Sequence, residues 1–230
     1  MIEHMQAQEM LKDIQASITP NWVVSDLEVI SHSLVSRWSK SLTEEEDIVV
    51  QTFDLAVANF SPVGPDDFNA VRRFCGVTML LSFISMSSPH TDGIYKVVIA
   101  AIHSAIDILN DYELSVDFCS KIAPLARSKG AWNVVILVTG DMGIALSRAL
   151  RFRDALSPLK EAVELSIKKD DYNSAARYSS EMGRSYFELD EYVKATSIWQ
   201  TALSYAKRCK DLELQTQILT NLRSLSSLNN

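Results

Sequence analysis

The stretch that decides the fold is GRSYFELDEYVKATSIWQTALSYAK, residues 183–207 of a 230-residue chain. It predicts two amphipathic helices joined by a tight turn. In the second helix the large Trp199 follows Ala195 by four positions and precedes Ala202 by three. Residues at these spacings share one face of a helix. The stretch therefore predicts a helical hairpin whose second helix presents one large side chain between two small ones.

The same pattern recurs along the chain at a fixed spacing. An aromatic residue that opens the second helix of each pair recurs at Tyr112, Phe152 and Tyr192, which defines a 40-residue period. The small and large positions of that helix recur as well, at Ser115, Ala155 and Ala195 and at Cys119, Leu159 and Trp199. Asp171 and Asp211, which precede two of the predicted helices, are separated by one such period. A fixed period of this size marks a helical solenoid, in which each pair of helices packs on its neighbours.

The repeat frame predicts the helices of the C-terminal part of the chain. They are expected near 94–109, 112–128, 132–149, 152–169, 172–188 and 191–208, with a last helix near 212–226. The last helix has no repeat partner and ends in the polar SSLNN, so we expect it to cap the array. The repeat fades before Gly93, which gives two regions: an N-terminal helical region at 1–92, interpreted as candidate degenerate repeats, and a repeat domain at 93–230.

The N-terminal region also has a helical pattern. A first helix is expected over 2–18, and a second from Ser25, with Glu28 as the partner in a capping box. Thr43 and Glu46 predict a second capping box at the start of a helix that runs from about 44 to 60. The breaks 61–67 and 87–93 are rich in Pro, Gly, Ser and Asp, and Asp66 or Asp67 can cap the helix between them.

Composition excludes several classes of protein. The net charge of -7 argues against a nucleic-acid binder, which usually carries a basic patch. The longest apolar stretch, 97–109, is interrupted by polar residues and is shorter than the roughly 20 residues that span a bilayer. The start of the chain lacks the pattern of a secretory signal. The three cysteines form no CxxC pair, which is typical of reduced thiols in the cytoplasm.

Motifs for catalysis are missing from the sequence. It contains no nucleophile elbow, phosphate-binding loop, dinucleotide fingerprint or zinc pattern. His103 lies on an apolar helix without a second His or Cys at metal-ligand spacing, so a buried, hydrogen-bonded histidine is favoured over a ligand. We therefore expect neither an enzyme nor a cofactor or metal site. An enzyme built on residues that converge only in space remains the least favoured alternative.

On these residues the chain resembles the tetratricopeptide repeat superfamily. The segment 183–203 carries the small, aromatic and alanine positions of that family, 143–163 carries them less fully, and 103–122 is degenerate. The usual period of the family is about 34 residues. The longer period of this chain resembles the variant found in cell-polarity adaptors, kinesin light chains and bacterial peptide-sensing regulators. The resemblance implies an all-α, right-handed superhelix of paired helices whose first helices line a concave groove.

The resemblance also implies where a peptide or protein would bind. Counted along the repeat frame, the candidate groove residues are Leu137, Asp141, Ile144, Arg177, Ser180, Glu181, Arg184, Phe187, Gln217, Asn221 and, near the end of the last helix, Ser224. The slots for the carboxylate clamp of chaperone-binding members hold Gly140, Ile144 and Glu181, so that clamp is not expected.

Arg177 and Arg184 are two helical turns apart and therefore share one helix face. They can bind an acidic or carboxylate-bearing segment, or they can pair with Glu181, Glu188 or a carboxylate of the next helix. If they bind a ligand, reversing both charges should abolish binding of an acidic partner and leave the melting temperature nearly unchanged.

Two functions follow as hypotheses. The first is a non-enzymatic scaffold or adaptor that binds a protein or peptide in its groove, with N-terminal helices available to a second copy or another partner. The alternative is a regulatory peptide sensor, in which the groove ligand changes how the N-terminal region binds its partner. A scaffold should show the same N-terminal hydrogen exchange with and without ligand, whereas a sensor should not.

Overall fold

Helices form the whole architecture of the described chain. The computed structural model describes residues 2–44, 48–60, 67–88 and 93–228. Within these ranges it contains helices and no strand, which confirms the all-α repeat fold. The α-helices are α1 (Ile2–Ser17), α2 (Val24–Glu44), α3 (Ile48–Phe60), α4 (Phe68–Ser87), α5 (Ile94–His103), α6 (Tyr112–Lys129), α7 (Trp132–Arg148), α8 (Phe152–Lys168), α9 (Tyr172–Glu188), α10 (Tyr192–Arg208) and α11 (Leu212–Leu228). The chain divides into two compact units, Met1–Val134 and Val135–Asn230.

The sequence period is built from two identical half-steps, one for each helix of a pair. Helices α6 to α11 begin at regular intervals, at Tyr112, Trp132, Phe152, Tyr172, Tyr192 and Leu212. A residue in the left-handed conformation precedes each of them by two positions, at Asn110, Gly130, Leu150, Asp170, Asp190 and Lys210. The predicted helix bounds over this part agree to within two residues, except at the end of α5.

The turns that follow α6 to α10 share one hydrogen-bonding pattern. The amide after each left-handed residue donates to the carbonyl five residues earlier, as in Arg151 to Leu146 and Asp171 to Ser166, both at 2.9 Å. This bond closes a helix C-terminus in a Schellman-type motif. Asp171 and Asp211, and Asp111 before α6, also accept a hydrogen bond from the amide three residues on, which caps the next helix. Each of these turns therefore ends one helix and starts the next within three residues.

Glycines let neighbouring helices approach closely in the second unit. A Cβ on Gly183 would overlap the indole of Trp199, and a Cβ on Gly143, one period earlier, would overlap the side chain of Leu159. Trp199 is 3% exposed, and its Nε1 donates to the Ser180 carbonyl at 2.9 Å. The large position of each repeat packs in the core, since Cys119, Leu159 and Trp199 are all buried.

The first unit is organised around α4, whose middle and C-terminal turns are almost entirely buried. Helices α2, α3, α5 and α6 pack against it. Among the described residues, Phe68–Ser87 is the one helix that is long and apolar enough to cross a membrane by length and composition. Within its apolar window 72% of the residues are buried inside the protein. The apolar stretch 97–109 of the sequence lies elsewhere, in α5 and the turn that follows it.

Several local predictions for the first unit differ from the structure. Helix α2 already begins at Val24, where the Asp26 carboxylate accepts from the Val23 amide at 3.2 Å, so Ser25 is inside the helix and not its cap. Thr43 lies in the last turn of α2, where its hydroxyl donates to the Ser39 carbonyl at 2.7 Å. The predicted partner Glu46 and most of both Pro/Gly/Ser-rich breaks lie outside the described residues.

Asp67 caps α4 as predicted, by accepting from the Ala70 amide at 3.0 Å. A further difference is the end of α5, where Ser104–Ile108 form a π-helical turn. The predicted helix 94–109 is therefore α-helical only as far as His103. A single inserted π turn shifts the register of a helix by one residue, and periodicity alone does not reveal it. The predicted boundary at 92/93 reflects the sequence repeat, whereas the division into units falls inside α7.

Candidate functional site

The second unit contains an open cleft of about 330 Å³, here called the arginine cleft. Three helices of the repeat array line it, and they are α7, α9 and α11. Its lining residues are Ile144, Arg148, Arg177, Ser180, Glu181, Arg184, Leu214 and Gln217. First helices of successive pairs contribute equivalent positions, because they are related by one full sequence period. The repeat therefore places side chains from distant parts of the sequence on one surface.

Arg177 is held in place by the buried carboxylate of Asp141. Its guanidinium lies 2.9 Å from Oδ1 of Asp141, whose side chain is 1% exposed, while the Arg177 side chain is 42% exposed. The Tyr178 hydroxyl donates to the same carboxylate oxygen at 3.4 Å. Arg177 therefore neutralises a buried charge, and its side chain also lines the cleft.

Arg184 is fixed on its own helix and by α7. Its Nε donates to Oε1 of Glu181 at 2.9 Å, one turn back, and an Nη donates to the Ser147 hydroxyl at 3.1 Å. Ser147 also lies 3.3 Å from the buried Ser185 hydroxyl. The Arg184 side chain remains 41% exposed. Both Arg177 and Arg184 are thus paired and still accessible. The partner of Arg177 is Asp141 of the preceding repeat, which was not among the partners expected from the sequence.

The structure brings together six of the ten principal candidate groove residues: Ile144, Arg177, Ser180, Glu181, Arg184 and Gln217. Leu137 and Asp141 are buried, at 2% and 0% exposure, so they support the cleft and offer it no surface. Phe187 packs on Trp199 and Tyr192 of α10. Asn221 is half-buried and Ser224 exposed on α11, and neither lines the cleft. That any of these residues binds a ligand stays a prediction.

Two lining residues were missed by the sequence reasoning. Arg148 lies at the last position of α7, and Leu214 lies in the first turn of α11. A signal for Arg148 was available, because it is one turn beyond Ile144 on the same face. Leu214 was harder to find, because α11 has no repeat partner from which to count. Arg148 raises the lining to three arginines against one glutamate.

The lining of the arginine cleft offers hydrogen-bond donors and charged groups. No group of three or more His, Cys, Asp or Glu residues that could hold a metal occurs in the ranges that the structure describes. The three cysteines are free thiols, and burial raises the pKa of Cys75 far above its ordinary value. The guanidinium groups of arginine suit the recognition of carboxylates.

The fold and the cleft define a helical-repeat protein. The sequence matches no protein-family model and no curated protein. Among solved structures, the chain is similar to BtubC (BKLC) from P. vanneervenii, with a TM-score of 0.53, 12% sequence identity, and coverage of 96% of this chain and 92% of that chain. At this identity the likeness concerns the fold alone.

Proposed function

We propose that this chain is a non-enzymatic protein-interaction scaffold that binds an acidic, extended segment of a partner in the arginine cleft. We further propose that its repeats are tetratricopeptide-type units with an unusually long spacing. The observation that carries the proposal is the arginine cleft itself, in which Arg148, Arg177 and Arg184 converge on one opening between three helices. Anionic side chains or a terminal carboxylate are the groups that such forks bind in pairs of hydrogen bonds.

The charge distribution supports an acidic ligand despite the acidity of the chain. The whole molecule carries -7, whereas the cleft lining contains three arginines and one glutamate. At physiological ionic strength, exposed charges further away than roughly 8 Å are largely screened. When the Asp141 carboxylate that pairs with Arg177 is included, three arginines face two carboxylates, so the formal charge around the cleft is positive whereas that of the whole chain is negative.

The proposal is tested with a fluorescent peptide rich in Asp and Glu, compared with a peptide of the same length rich in Lys. We expect the acidic peptide to bind and its affinity to fall as salt is raised, because the contacts are charge-assisted. The double variant Arg148→Gln with Arg184→Gln should weaken binding by at least about tenfold. Arg151→Gln with Arg153→Gln, on exposed positions outside the cleft, is the matched control.

Arg177 is left unchanged in that test because it forms an ion pair with Asp141. Removing its charge would break the ion pair between Arg177 and the buried Asp141 carboxylate. Breaking such a pair costs roughly 3 kcal/mol of stability. We therefore expect charge reversal at Arg177 to lower the melting temperature, whereas the sequence alone led us to expect no change. Equal binding of both peptides, or full binding by the Arg148/Arg184 variant, would contradict the proposal.

Pairing of the N-terminal helices with a second copy stays a separate prediction, as does the cytoplasmic location. Light scattering of the purified chain measures the first directly. A molar mass near 25.7 kDa would show a monomer and remove the homodimer from the proposal.

A further inference from the structure

The first unit contains a second cleft that the proposed scaffold function does not use. It measures about 160 Å³ and lies between α1, α3 and α4; we call it the aryl cleft. Its lining is largely apolar, formed by Ala56, Phe60, Ala70, Phe74 and Val77. Three polar side chains, Gln15, Asn59 and Arg73, complete the lining.

The size and walls of the aryl cleft suit one aromatic ring. A cavity of roughly 150 Å³ with apolar walls is large enough to bind benzene. Here the rings of Phe60 and Phe74 are already stacked, with centroids 4.5 Å apart and planes inclined by 18°. A third ring could extend that arrangement edge-on or offset, as aromatic side chains prefer.

Arg73 gives the aryl cleft a charge that the described chain does not neutralise. Among the described residues, no carboxylate lies within ion-pairing distance of Arg73, and its side chain is exposed. Asp67, the nearest described carboxylate along α4, caps the helix by accepting from the Ala70 amide. Arg73 also lines a neighbouring cavity of about 350 Å³, together with the polar side chains Thr19, Asn69 and Arg72.

Arg72 differs from Arg73 because its guanidinium already contacts Trp22. Its guanidinium donates to the Trp22 carbonyl at 3.0 Å and stacks over the indole, 4.9 Å from the ring centroid. Trp22 is 1% exposed, so this contact holds α4 against the segment between α1 and α2. Arg72 therefore fixes the wall, and of the two arginines Arg73 is the one that lines the aryl cleft, without an ion-pair partner among the described residues.

We propose that the aryl cleft binds an aryl carboxylate, with the ring between the walls of α3 and α4 and the carboxylate on the guanidinium of Arg73. The amides of Gln15 and Asn59 border the same opening and can hydrogen-bond the carboxylate or the atoms next to it. Two sources share this chemistry: a small free acid and the C-terminal aromatic residue of a peptide. Arg73 borders both cavities, and the further chain of the second would extend into the neighbouring polar cavity.

In the experiment, the full chain is titrated with phenylacetate and with neutral phenylacetamide. Binding is measured by calorimetry and by ligand-observed NMR. Phenylacetate should bind with a dissociation constant of about 1 mM or tighter. The amide has the same ring and shape but no charge, so it should bind at least about tenfold more weakly. A peptide ending in Phe, as free acid and as amide, distinguishes the sources: a preference for the free-acid peptide over phenylacetate assigns the site to a chain terminus.

Two variants test the residues. Arg73→Gln removes the charge at an exposed position and should reduce phenylacetate affinity at least about tenfold without unfolding the chain. Ala70→Leu should fill the cleft and abolish binding of both probes, and its melting curve shows whether the fold is retained. Arg153→Gln, an exposed arginine of the second unit, is the control. Unchanged affinity in Arg73→Gln, equal binding of acid and amide, or no binding at millimolar probe would overturn the inference.

Discussion

At the scale of single residues, Trp199 shows how one side chain connects two helices. It fills the space above Gly183, and its indole nitrogen is satisfied by the Ser180 carbonyl of α9. Trp199→Ala should lower the free energy of unfolding by about 3–5 kcal/mol, because it removes a buried ring and leaves a cavity. Denaturant unfolding followed by circular dichroism measures the loss.

Val193→Ala is the matched control for that variant. Val193 lies on the same helix but is 86% exposed, so its truncation should change stability by less than about 0.5 kcal/mol. Full stability of Trp199→Ala combined with lost partner binding would instead show that Trp199 belongs to an interface.

At the scale of structural elements, the turns carry the repeat. Each helix from α7 to α11 is preceded by a turn whose left-handed residue recurs at the same interval. Leu150 occupies this conformation with φ 61°, and its side chain is 74% exposed. The left-handed region costs a residue with a Cβ roughly 1 kcal/mol, whereas glycine adopts it without that penalty. The repeat therefore contains a strained position that packing elsewhere overcomes.

We expect Leu150→Gly to raise the free energy of unfolding by about 0.5–1 kcal/mol. The mirror variant is Gly130→Ala at the equivalent turn, where φ is 70° and an added Cβ would contact nothing within 4 Å. That variant should destabilise the chain by about 1 kcal/mol, through the backbone alone. Leu150→Ala separates loss of the side chain from relief of strain, and equal stability of Leu150→Ala and Leu150→Gly would contradict the explanation.

The sequence predicted the elements of the second unit closely because each feature repeats. Asp171 and Asp211 mark the turns, Trp199 and Leu159 mark the buried faces, and one period relates them. The ion pair between Arg177 and Asp141 was not predictable in the same way, because it joins successive repeats whose facing residues differ. Before Gly93 no repeat constrains the interpretation. The start of α2 and the π turn after α5 depend on local packing and not on periodicity.

At the scale of the whole molecule, a repeat array is stabilised by contacts between neighbouring helices. A local substitution should therefore destabilise the adjacent helices more than the distant ones. Within the second unit, α11 covers the apolar face of α10 with Ile218 and Leu225, which are buried against Trp199, Ala202 and Ala206. Helix α11 also contacts α9. The stability of each helix is thus coupled most strongly to the helix beside it.

Ile218→Asp tests this coupling, because it places a charge in the contact between α10 and α11. We expect amide hydrogen exchange to accelerate most in α11, less in α10 and α9, and least in α8. Each helix further from the substitution is separated from it by one more undamaged helix–helix interface. The released apolar face should also increase self-association, measured by light scattering. Leu219→Asp, on the adjacent 39%-exposed position, should leave both measurements close to those of the unchanged chain. Uniform acceleration across α8 to α11 would instead show that the second unit unfolds as one cooperative block, and the description of its helices as a chain of neighbour interactions would have to be abandoned.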